Sequence, residues 1–138
     1  MKRTALTMTF VAAAMLAAAA TGSAQTMKAE IPFAFHAGSA RMQAGSYHVV
    51  LNTSHAGLPM IQVFSLDEHR SVIRVAMSTS RPPAPRESTI TLSFACAEGN
   101  CELASLRDGQ SNVYRFAVRG SGPDTRIATV VLRPDRAE

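Results

Sequence analysis

One pattern constrains this chain more than any other. Between Ala29 and Leu132, apolar residues recur at every second position in short runs. "STITLSF" is the clearest case, with Ile90, Leu92 and Phe94 alternating with Thr89, Thr91 and Ser93. Ile31, Phe33 and Phe35 form another such set, and so do Tyr47, Val49 and Leu51. "MIQVFSL" puts Ile61 and Val63 on one side and Met60 and Phe64 on the other. Ile73, Val75 and Met77 make a further face, followed by Tyr114, Phe116 and Val118, and "RIATVVL" closes the series. Successive side chains of a strand point to opposite faces, so period two means a strand with one wet face. No segment after Ala29 keeps a helical period. "HAGS", "QAGS", "LDEH", "AEGN", "RDGQ" and "GSGPD" separate the runs, and Gly, Asn and Asp suit tight turns. The expectation is an all-β fold, an antiparallel β-sandwich or small barrel of about seven to nine strands. Pro32 lies inside the first run and cannot donate to a ladder, which predicts an edge strand there.

The amino end reads differently. "MKR" precedes an apolar run from Met8 to Ala20, and "TGSAQ" supplies small residues at Gly22 and Ala24. This is the pattern of a secretory signal peptide over 1–24, helical and cut between Ala24 and Gln25. The apolar run is shorter than the roughly 20 residues that a spanning helix needs. The remaining 25–138 suits a single β-domain and would be periplasmic or secreted. Loss of Lys2 and Arg3 lowers the formal net charge from +4 to +2. The arginines are spread along the chain and interleaved with acids, whereas a nucleic-acid binder clusters them. An outer-membrane barrel is disfavoured by the arginines on outer faces and the polar tail "RPDRAE". Residues 78–89, "STSRPPAPREST", form a proline-rich connection expected to be extended and exposed.

Both cysteines sit in "CAEGNC", as Cys96 and Cys101. A zinc site needs about four ligands, and no histidine lies near this pair. A catalytic thiol pair favours a helix start with positive potential, but here Glu98 and Glu102 lie close, where negative charge disfavours thiolate, and the surroundings read as strands. A staple fits better: "STITLSFAC" runs in, "CELASL" runs out, and "AEGN" forms a four-residue loop. The two cysteines then face each other across a hairpin at the end of the buried face.

Catalytic equipment is sparse. His36, His48, His55 and His69 fall in or beside four different segments, without the spacing of a compact metal pair. His48 alternates with Tyr47 and Val49 and should point outward, and His69 should sit in a solvated turn. Ser46 and His48 would share a strand face, which alone falls short of a triad. Glycine-rich phosphate loops and the G-x-S-x-G elbow are missing from the sequence. No catalytic residue, cofactor or metal ligand is assigned from these patterns.

"IPFAFHAGSARMQAGSYHVV", Ile31 to Val50, resembles the opening of a family of small uncharacterised secreted proteins from environmental bacteria. Their pattern is an IPFxF strand followed, after a turn, by AGxYxV. Here it is carried by Ile31, Pro32, Phe33, Phe35, Ala44, Gly45, Tyr47 and Val49. The chain departs from the family by placing its cysteines at the later hairpin. The resemblance implies a secreted β-protein and brings no activity with it. The functional expectation is an exported non-catalytic β-domain with a binding or structural role in the cell envelope, meeting a protein partner at an edge strand. Two alternatives accompany it: a small hydrolase whose site forms only in three dimensions, and a barrel carrying a small apolar ligand.

Overall fold

Eleven strands make up the regular structure of the described residues, which are 23–53, 58–81, 89–119 and 122–135 of this computed structural model. They are β1 (Ser23–Ile31), β2 (Phe35–Ala37), β3 (Ala40–Met42), β4 (Gly45–Thr53), β5 (Met60–Ser65) and β6 (Ser71–Val75). Then come β7 (Ser78–Ser80), β8 (Ile90–Ala97), β9 (Asn100–Arg107), β10 (Val113–Arg115) and β11 (Arg126–Pro134). The all-β expectation holds. The main path through the sheet runs β3-β2-β9-β8-β11-β1-β4-β5-β6, and β10 joins β7 to β9. Ladders are antiparallel except for a single parallel bridge between β2 and β9 at His36 and Glu102.

The sheet curls back on itself. Only Ala76 and Met77 separate β6, at one end of the path, from β7, which reaches β9 at the other through β10. The Met77 amide donates to the Arg115 carbonyl at 2.7 Å, which makes a nearly closed barrel. Beside this link, side chains span the seam. Arg74 donates through Nη2 to the Ala117 carbonyl at 2.8 Å, and Arg70 reaches the Arg41 carbonyl at 3.5 Å. Gly38, at φ +64°, lets the β2–β3 turn lie against the Arg74 guanidinium.

The alternating residues fill the interior. Tyr47, Val49, Ile61, Val63, Leu92 and Phe94 are all fully buried. Aromatic rings meet edge to face, Phe35 with Phe94 at 5.1 Å and Phe33 with Phe94 at 5.0 Å. Such pairs add about 0.5–1.5 kcal/mol beyond their burial. Tyr47 completes the cluster 5.4 Å from Phe35, and its hydroxyl donates to the Gln43 carbonyl.

Three local expectations need correction. The first run does not make an edge strand. Pro32 ends the β1–β4 ladder at Ile31, and β1 lies between β11 and β4 in the sheet. The chain then crosses to start β2 on the far side of the core. β6 is read inside out by its apolar pattern: Ile73 and Met77 are 57% and 72% exposed, while Val72, Arg74 and Ala76 face in. Pairing of Ile61 with Arg74 and Val63 with Val72 imposes that orientation, because directly opposed residues share a face. The connection over 78–89 opens extended and largely exposed, as strand β7, and residues 82–88 lie outside the described ones. The cysteine hairpin is tighter than a four-residue loop. Ala97 pairs with Asn100, leaving Glu98 and Gly99 as a two-residue turn, both with positive φ.

The staple itself forms. Cys96 and Cys101 are directly opposed and joined by a disulfide, with Cα atoms 4.0 Å apart. Both are partly buried and pack against the core. A bulge follows: Ser93 pairs with Ser105 but Phe94 with Leu103, so Ala104 is the extra residue. That insertion lets Leu103 and Leu106, three apart, both point inward.

The expected signal segment lies almost wholly outside the described residues. Ser23 and Ala24, on its side of the expected cut, belong to β1 and stand opposite Thr53 and Asn52.

Candidate functional site at the open corner of the barrel

β1 is bound to β4 along its whole length, from Ser23 opposite Thr53 to Ile31 opposite Gly45. On its other side it meets β11 only at Met27–Pro134 and Lys28–Arg133, reinforced by the Asp135 amide donating to the Thr26 carbonyl at 3.1 Å. From that vertex the strands diverge. β11 follows β8 from Arg126 to Leu132, leaving its other edge without a ladder among the described residues. The divergence opens a wedge-shaped cleft of about 640 Å³. Alternation decides what lines it. Ala29, Ile31, Val130 and Leu132 turn inward and seal the core below, while Lys28, Glu30, Thr129, Val131 and Arg133 turn outward. Pro32 borders the mouth.

The charges at the vertex are unbalanced. Lys28 and Arg133 oppose each other directly in the ladder, and no acid among the described residues pairs with either. Like charges directly opposite are destabilising in an antiparallel pair. The nearby acids are engaged elsewhere. Glu30 accepts the Ser46 hydroxyl at 2.7 and 2.8 Å through its two oxygens, and Asp135 lies 3.4 Å from His48 Nε2.

This row gathers a serine, a histidine and two carboxylates on one outer face, but in the wrong pairing for nucleophilic catalysis. In a triad the serine donates to the imidazole, whose other nitrogen is oriented by the acid. Here Ser46 donates to Glu30, and His48 is partnered with Asp135. The Ser46 amide is directed at Asp67 Oδ2, 3.3 Å away. The remaining histidines stay apart. His36 stands opposite Glu102 in the β2–β9 bridge, His69 is exposed in its turn at φ 55°, and His55 lies outside the described residues. Among the described residues no group of three or more potential metal ligands forms.

Two further polar constructions were not evident from the sequence. Asp108, nearly buried, organises the β9–β10 turn. Its Oδ1 accepts the amides of Gln110 and Asn112, both at 2.9 Å, and its Oδ2 accepts Asn112 Nδ2 at 2.9 Å and the Tyr114 hydroxyl at 3.2 Å. Four donors saturate a carboxylate, which makes this a structural knot. Burial and then the Asp108 charge push the Tyr114 pKa up. At the other corner, burial and then the Glu68 charge push up that of Tyr47. "DGQSN" is legible as a turn, but only the β9–β10 register places Tyr114 over the aspartate. The corner cleft had no sequence signal beyond Pro32, which marks where β1 leaves the sheet.

Compared with known proteins, the chain matches no family model, no curated protein and no solved structure. Among the described residues no helix is long and apolar enough to cross a membrane.

Proposed function

We propose that this protein is an exported, non-catalytic β-domain that binds a partner in the cell envelope, and that the β1–β11 corner is its binding surface. The observation that carries the reading is the edge of β11 that no ladder covers among the described residues, beside an open cleft. An unpaired strand edge offers a row of amides and carbonyls to an incoming chain. The leader-like amino end supports export, and the Cys96–Cys101 disulfide is consistent with an oxidising compartment. A photo-crosslinking residue at Thr129, in the cleft, should capture a discrete envelope adduct that the same residue at exposed Asp124 does not. Equal or absent capture at the two positions would refute the reading. Recovery of the intact chain from the cytosol with reduced thiols would refute export.

The collected Ser46, His48, Glu30 and Asp135 favour a second reading, a small hydrolase, once a ligand redirects the serine. Ester or amide hydrolysis lost in Ser46→Ala would establish it. The apolar-carrier alternative is opposed by Phe33, Phe35, Tyr47 and Phe94, whose ring-on-ring contacts occupy the space behind them.

A further inference from the structure

We infer that the corner cleft receives the carboxy-terminal strand of a peptide, inserted between β11 and β1, with its terminal carboxylate against Lys28 and Arg133. The inference rests on the binding reading above and specifies its partner. Geometry supplies the first step. A strand entering the wedge runs alongside both flanking strands until they pair with each other at Lys28–Arg133 and Met27–Pro134. There the space ends, so the inserted chain ends there or turns away. Charge supplies the second step. Two cations face each other at that vertex without an acid partner among the described residues. A peptide amino terminus would add a third positive charge, whereas a carboxylate relieves the repulsion and accepts charge-assisted hydrogen bonds from both. The direction follows. With its carboxylate at the vertex the peptide runs from the mouth inward, parallel to β11 and antiparallel to β1. Side chains then alternate between the sealed floor and solvent. On the outer side they pass Glu30, Thr129 and Val131, which ask for little sequence beyond alternating β-formers.

The test uses the hexapeptide Thr-Val-Thr-Val-Thr-Val, acetylated at its amino end, once with a free carboxylate and once as the carboxamide. Backbone amide shifts of the protein, purified as its cell processes it, report the place of binding. Dissociation constants come from the same titration. The free acid should shift amides of Ala29–Ile31 and Thr129–Arg133 and bind about tenfold or more tightly than the amide, the scale of a hydrogen bond to a charged group. In Lys28→Gln with Arg133→Gln the acid should fall to the affinity of the amide, while affinity for the amide stays the same. Both side chains are exposed and mutually repulsive, so the double variant should melt no lower than the parent, which separates lost binding from lost folding. Equal affinity for acid and amide would overturn the carboxylate assignment. Shifts confined to other strands, or none with either peptide, would overturn strand insertion. The adduct at Thr129 would still decide the wider binding reading on its own.

Discussion

Single side chains hold the two ends of this barrel through buried hydroxyls. Tyr47 spans the "QAGSY" corner, and Gly45 beside it lies against the Asp67 carboxylate, which would have to move to admit a β-carbon. Tyr47→Phe keeps the ring but removes the hydrogen bond to the Gln43 carbonyl, which should cost about 0.5–1.5 kcal/mol by denaturant unfolding. The two tyrosines also set an alkaline limit. Their folded pKa values are raised above the ordinary value near 10, so folding favours the neutral phenols. Their contribution is therefore complete below the unfolded value and is lost as pH rises through the folded ones. The tyrosines' contribution to stability should be flat up to about pH 10 and then fall by up to about 1.4 kcal/mol per pH unit for each. Absorbance at alkaline pH should show both ionising together with unfolding. The alternation of Tyr47 with Val49 and Leu51 places the ring inside; the role of its hydroxyl emerges only when it meets a carbonyl four residues upstream.

Among the strands, the β8–β9 hairpin was the most legible. Its alternation, its turn glycine and its opposed cysteines all point to one register. Removing the crosslink with Cys96→Ser and Cys101→Ser should leave a folded protein that is less stable by about 2 kcal/mol, the chain-entropy value for so short a loop. An unchanged melting temperature would deny the bond any stabilising role. The bulge at Ala104 was written in the three-residue spacing of Leu103 and Leu106, which cannot both face inward on a regular strand. β6 was misread for a physical reason. Period two identifies a strand but not which face is wet, and register with β5 turns Ile73, Val75 and Met77 outward. The edge role given to Pro32 failed similarly. Proline can end a ladder as readily as border one, and here β1 stops just before it, in the interior of the sheet.

At the scale of the molecule, the all-β fold class and the nine strands of the main path could be read from local pattern, whereas β7 and β10, closure and the corner cleft depend on pairings between distant segments. The sequence could not show that β1 and β11 meet over two residue pairs and then part. That partial contact makes β11 the hinge between two halves, one built around β8 and β9 and the other around β1, β4 and β5. A chain lacking residues 126–138 should lose cooperative thermal unfolding altogether, measured by circular dichroism, where surface truncation would only lower the midpoint. β1 waits for β11, its neighbour across almost the full length of the chain. Under the export proposed above, a polypeptide threaded through a membrane pore amino end first could not finish its architecture in transit; it would stay pliable until the final strand emerged, and the same delay would keep it narrow enough to pass.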